Sequence, residues 1–116
     1  INSTDDVDVE AFEKMVAEKL GLPAEVQFRY RSTYFKHIFG SDGYAAGYYT
    51  YLWAEVLDAD GFELFKEKGI FDPETAKAFK ENVLEMGGSE DPMKLYIKFR
   101  GQEPNPDALL RNRGLK

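Results

Sequence analysis

His37-Ile-Phe-Gly-Ser-Asp-Gly-Tyr44-Ala-Ala-Gly-Tyr48-Tyr49-Thr-Tyr51-Leu-Trp53-Ala-Glu55 sets the chain's only histidine and a run of tyrosines around a glycine loop that opens a helix. Imidazole and phenol groups can donate hydrogen bonds, and donors of this kind can polarise a carbonyl. At ~100° per residue, Tyr44, Tyr48, Tyr51 and Glu55 fall within about 60° of one another on one helical stripe. Tyr49, Leu52, Trp53 and Val56 take the next arc. The spacing therefore predicts a helix over 43–58 with an apolar face to bury and a phenolic face beside it, able to reach a cleft while its hydroxyls stay wet or bonded. Spacing alone leaves two readings open, a packing face or a cleft wall, and packing is the commoner fate of such a stripe and of a lone histidine.

Outward from this segment the chain reads as helices separated by Gly and Pro. Behind a polar lead from Asn2 to Asp6, Phe12, Met15, Val16 and Leu20 recur at helical spacing and predict a helix over 9–20, ended by Gly21 and Pro23. Residues 24–35 mix aromatic and basic side chains, as in Phe28-Arg-Tyr-Arg, and suit an extended run. A shorter helix is expected over 60–68, with Asp60 as its cap and Gly69 closing it. Asp72-Pro73-Glu74 has the form of a helix start, since Asp accepts orphan N–H groups and Pro fits the first turn. Ala76, Phe79, Val83 and Met86 then share a face, and Gly87-Gly88 stops it. Asp91-Pro92 starts another helix with Met93, Tyr96, Ile97 and Phe99 apolar, and Asn105-Pro106-Asp107 a last short one with Leu109 and Leu110. Five or six helices with short connections make an all-α bundle.

At 116 residues the chain is about one domain, and its 43% hydrophobic and 15% aromatic content can build a core. A net charge of −6 argues against a nucleic-acid partner, which is usually met by clustered Lys and Arg. Lys94, Lys98, Arg100, Arg111, Arg113 and Lys116 are interleaved with acids and read as solvated faces. Glu63 with Glu67 and Glu81 with Glu85 have the ordinary spacing of helical surface acids. Asp58 and Asp60 lack the further acidic ligands of a calcium loop. No apolar stretch of ~18 residues exists to span a membrane. The absence of cysteine excludes a disulfide framework and leaves cytoplasm or periplasm open, the cytoplasm being the readier choice.

The string from His37 to Tyr51, with its Gly-Tyr-x-Ala-x-Tyr-Tyr-x-Tyr pattern, resembles the thimet oligopeptidase and peptidyl-dipeptidase family of zinc metallopeptidases. The flanks agree: Arg29-Tyr-Arg-Ser-Thr-Tyr-Phe35, Trp53-Ala-Glu-Val56, Gly87-Gly-Ser-Glu-Asp-Pro92 and Phe99-Arg-Gly-Gln-Glu-Pro104. The resemblance covers nearly the whole chain. It implies a mostly helical metallopeptidase domain in which a His-Glu-x-x-His helix and a downstream glutamate hold zinc. None of these ligands is present here. With one histidine and no cysteine, this stretch cannot supply the usual hydrolytic set. The chain, starting at Ile1, therefore reads as a single C-terminal piece of that domain over 1–116, holding no metal and inactive alone, with the zinc helix upstream. Its partners would be short peptides and the upstream part of its own catalytic domain.

The resemblance also assigns roles. Tyr51 would donate to the oxyanion of a scissile carbonyl attacked by zinc-activated water, and His37 would assist it or the neighbouring peptide group. Tyr44 would close on substrate, Tyr48 would contact the substrate backbone, and Gly43 would let the loop fold over the peptide. Gly40, Gly43 and Gly47 could supply positive φ or close backbone approach. Ser41-Asp42 reads as an insertion relative to family members. Gly-Tyr-Ala-Ala-Gly-Tyr-Tyr is nearer the peptidyl-dipeptidase branch, which releases C-terminal dipeptides, than the endo-acting branch. The reading from another class is a free-standing helical module that holds peptides without cutting them.

Overall fold

Asp8 begins the first element as its N-cap, its carboxylate accepting the Ala11 N–H at 3.0 Å, and α1 follows over Val9–Lys19. The computed structural model describes residues 6–116, so the polar lead at Asn2 to Asp5 lies outside the described residues. After α1 come α2 (Lys36–Phe39), a 3-10 turn (Asp42–Tyr44), α3 (Thr50–Lys68), α4 (Pro73–Phe79), a π-helical segment (Lys80–Leu84), α5 (Pro92–Arg100) and α6 (Asp107–Asn112). Among the described residues there is no strand, and the fold is all-α. The chain divides into two compact units, Ile1–Tyr48 and Tyr49–Lys116.

In the first unit, residues 24–35 depart from the expected extended run. They form turns, with the Val26 N–H on the Pro23 carbonyl at 2.9 Å and the Tyr34 and Phe35 N–H groups both on the Arg31 carbonyl at 3.1 Å. A lone extended segment with no neighbouring strand would leave its backbone groups unpaired, and turns satisfy them locally. The segment is strapped to α1 by Arg31, 2.9 Å from Glu10 and 3.4 Å from Glu13, and by the Ser32 N–H on Glu13 at 2.6 Å. That Ser32 bond chiefly holds the Glu13 carboxyl below the usual glutamate value.

In the second unit, the expected break near Asp58 does not occur, and α3 runs unbroken through Asp60 and Gly61. Gly61 is buried inside it, and a Cβ there would meet Phe99 Cε1 at 3.5 Å, ordinary contact. A helix-interior glycine costs about 1 kcal/mol relative to Ala, too little to end a 19-residue helix that packs on its neighbours. Asp60 is accordingly no cap. It is 3% exposed, accepts the Tyr96 hydroxyl at 2.6 Å, and its carboxylate lies 3.5 Å from Arg100 Nε. Arg100 also donates to the Asp60 carbonyl at 3.1 Å and pairs with Glu67 at 3.0 Å. Expected on a solvated face, Arg100 is instead drawn inward, because a buried carboxylate needs paired donors. Burial, then the bond to Asp60, pushes the Tyr96 phenol far above its ordinary range.

The core of this unit is Val56, Ala59, Leu95, Phe99 and Ala108, with Phe65, Phe79 and Phe99 in mutual ring contact at 5.2 to 6.1 Å. Asp72 caps α4 through the Thr75 N–H and hydroxyl, 2.8 and 2.7 Å, which hold its carboxyl low. Asp91 caps α5 through the Lys94 N–H. Both starts are as expected, and Gly69 and Gly101 close α3 and α5 with positive φ. The face expected after Pro73 is altered: Ala76 is exposed and Thr75 buried, while Phe79, Val83 and Met86 are half-buried. The π-helical segment, where the Glu85 N–H reaches back to the Lys80 carbonyl, breaks the 3.6 period there. On α5, Leu95 is buried and Met93 is exposed. At the surface Lys98 pairs with Glu90, Arg111 with Glu63, Arg113 with Glu55 and Lys116 with Asp107. None of the described helices is long and apolar enough to cross a membrane.

Candidate functional site

Gly40 ends α2 by donating its N–H to the Lys36 carbonyl at 2.7 Å. A Cβ at this position would sit 2.6 Å from that oxygen, so the close approach itself requires glycine. Ser41 is extended, and residues 42–44 then make the 3-10 turn. The Ala45 N–H bonds the Asp42 carbonyl at 3.3 Å, and the Gly47 N–H bonds the Tyr44 carbonyl at 3.0 Å. The positive φ in this loop falls on Ala46, at 54°, and not on Gly40, Gly43 or Gly47. A non-glycine residue held left-handed costs about 1–2 kcal/mol, strain the surrounding turns must hold in place.

This path corrects the expected helix over 43–58. Regular helix begins only at Thr50, so Tyr44 and Tyr48 do not share an α-helical stripe with Tyr51. The turns nonetheless bring three of the expected residues together. His37 and Tyr44 rings lie 4.7 Å apart, His37 and Tyr48 5.7 Å, and Tyr44 and Tyr48 6.4 Å. Tyr44 is half-buried and His37 and Tyr48 are exposed, so the cluster keeps access to solvent. Gly43 adjoins Tyr44 inside the 3-10 turn; a Cβ there would meet only Ser41 Oγ, at 3.6 Å.

Tyr51 belongs to the second unit, in the first turn of α3, and is 43% exposed. The face expected to be buried beside it stays largely open: Val56 is buried, but Tyr49, Leu52 and Trp53 are 64%, 53% and 56% exposed. Glu55 ion-pairs with Arg113. Among the described residues no group of three or more His, Cys, Asp or Glu is placed to hold a metal ion. The donor set here does not fit a hydrolytic zinc, which takes three protein ligands and leaves a position for water.

Two ring residues beside the cluster escaped the periodicity reading. Phe35 meets Tyr48 edge-on at 4.9 Å and stacks on Tyr30 at 4.7 Å. Their aromatic-basic run, Arg29 to Phe35, was visible in the sequence, but turns rather than a repeat bring it to the cluster.

The family model described as peptidase family M3 matches residues 2–115. Oligopeptidase A of Haemophilus influenzae is 59% identical over 81 residues, which cover 70% of this chain and 12% of that protein. Oligopeptidase A of Escherichia coli is 57% identical over 82 residues, 71% of this chain and 12% of that protein. The dipeptidyl carboxypeptidase of Escherichia coli is 48% identical over 110 residues, 93% of this chain and 16% of that protein. The chain thus spans between 12% and 16% of the length of these relatives.

Proposed function

The chain belongs to peptidase family M3, and we propose that it supplies the substrate-binding and transition-state-stabilising part of a zinc-dependent oligopeptidase. The observation that carries this is the family match over 2–115, which takes in the whole His37-to-Tyr51 string. In this reading the Tyr51 phenol donates to the oxyanion that forms on the scissile carbonyl. His37 assists it or the adjacent peptide group, while Tyr44, Tyr48 and Gly43 hold the peptide. Phenols and imidazoles suit the task because they donate hydrogen bonds at neutral pH, and an aimed donor acts most where charge develops. The gathering of His37, Tyr44 and Tyr48 at an accessible surface supports the peptide-holding part.

Peptidases of this family are zinc-dependent. Because the donor set here does not fit the metal, the proposal places the ligands in the rest of the polypeptide, upstream of these residues. That upstream part of the catalytic domain is the partner read for the open Leu52 and Trp53 face. Short peptides are the substrates, and a chain of net charge −6 is not read as a nucleic-acid binder. Release of C-terminal dipeptides is the proposed mode. The likeness to dipeptidyl carboxypeptidase, which runs over 93% of the chain, supports it, although the identity to oligopeptidase A is higher over a shorter stretch.

Metal analysis and a peptidase assay on the 116-residue chain test the division of labour. After dialysis the chain is expected to retain no stoichiometric zinc and to cleave no peptide. Zinc retained one-to-one and lost on His37→Ala would overturn the reading.

A further inference from the structure

We propose that Phe35 is a positioning residue for the peptide-holding edge of the site and acts through Tyr48, an inference that rests on the reading of Tyr48 as a substrate contact. Phe35 itself touches no substrate in this account. Its role is to aim the phenol that does.

The backbone of Phe35 is held from both sides. Its N–H donates to the Arg31 carbonyl at 3.1 Å, and its carbonyl accepts the Ile38 and Phe39 N–H groups, each at 3.1 Å. From that fixed root the ring stands between two tyrosines. Tyr30 stacks on it with centroids 4.7 Å apart and planes 26° from parallel. Tyr48 meets it at 4.9 Å and 77°. Behind Tyr30 the stack continues to the Arg29 guanidinium, 5.1 Å from the Tyr30 ring, and to Tyr34, edge-on at 6.4 Å. Arg31, between Tyr30 and Ser32 in the chain, is ion-paired with Glu10 and Glu13 of α1. The stack therefore runs from a strap anchored on α1, through Phe35, to Tyr48, which also lies against His37 and Tyr44.

Tyr48 sits in a turn ahead of α3 with 36% of its surface exposed, and the rings of Phe35, His37 and Tyr44 lie 4.9 to 6.4 Å from its own. An edge-to-face partner restricts the ring's tilt, because the positive ring edge seeks the negative face. A hydrogen-bonding group that must meet a peptide within about 3 Å loses binding when its direction wanders. Phe35 carries no hydroxyl of its own, so what it gives the site is an apolar ring in a fixed place.

The test compares Phe35→Leu with Phe35→Tyr in the complete polypeptide carrying this stretch, reading KM and kcat for a short peptide and the melting temperature of each variant. Removing the ring is expected to raise KM about three- to tenfold, the loss of one aromatic pair's orientation. The value of kcat should stay near that of the unaltered enzyme, and Phe35→Tyr should keep KM near it as well. A Phe35→Leu variant with unaltered KM would overturn the proposal, whatever its melting temperature. So would a fall in kcat with KM unmoved, or equal KM losses in both variants. Should Phe35→Leu not fold, Tyr30→Leu removes the ring behind it, and a raised KM supports the proposal where an unchanged one overturns it. Tyr48→Phe in the same assay separates the two readings. If it raises KM while Phe35→Leu does not, only the positioning role fails; if it leaves KM unchanged, the substrate-contact reading fails.

Discussion

Rings pack at similar distances in helices α3 to α5 and around His37, yet they differ in exposure. Phe65, Phe79 and Phe99 lie 5.2 to 6.1 Å apart and line a groove of about 530 Å³, with Phe99 only 6% exposed. The one tyrosine beside them, Tyr96, gives its hydroxyl to the buried carboxylate of Asp60. Around His37 the contacts run from 4.7 to 6.4 Å, but Tyr30 and Tyr48 keep more than a third of their surface open and bring hydroxyls with them. Ring distance alone therefore does not separate a core from an exposed cluster. The exposure of the rings does.

If that contrast is right, the second unit should be the one that fails when a polar group is removed. Asp60→Ala leaves Arg100, whose side chain is 9% exposed, without its buried partner and frees the Tyr96 hydroxyl. Breaking such a pair costs about 3–5 kcal/mol. Tyr44→Phe, by contrast, should stay within about 0.5 kcal/mol, as surface changes usually do. Urea unfolding of the 116-residue chain reads both, and equal losses would erase the distinction between core and site.

One substitution made in each region sharpens it further. Gly61→Ala places a methyl at ordinary distance from Phe99 inside a helix and should stabilise α3 by about 0.5–1 kcal/mol. Gly40→Ala drives a Cβ to within 2.6 Å of the Lys36 carbonyl and should cost more than about 1 kcal/mol. The same unfolding measurement should give opposite signs. A shared sign would mean that the turn after α2 adapts as freely as α3 does.

Much of the helical outline was legible because its signals are local. Asp72-Pro73 and Asp91-Pro92 start α4 and α5 through bonds three residues along the chain, and Gly69 ends α3 where φ turns positive. The unbroken α3 was not legible. Asp60 and Gly61 look like punctuation until Tyr96 and Arg100, 36 and 40 residues on, and Phe99 pack against them. The π-helical segment after α4 was hidden as well, since it is invisible to a 3.6-residue count. At the candidate site the residue types were readable and their route together was not. The stripe placed Tyr44 and Tyr48 on a helix, whereas a 3-10 turn and the left-handed Ala46 bring them to His37. Phe35 and Tyr30 were missed because turns, which leave no periodic trace, carry them in.

The central claim is that an exposed phenol of this stretch serves the transition state of peptide cleavage, and steady-state kinetics of Tyr51→Phe in the complete polypeptide test it most directly. Removing one oxyanion donor costs on the order of 10²–10³ in kcat. The account predicts a fall of about that size with KM little changed, since the hydroxyl is used chiefly in the transition state. A Phe variant with the kcat of the unaltered enzyme would contradict it and return Tyr51 to packing.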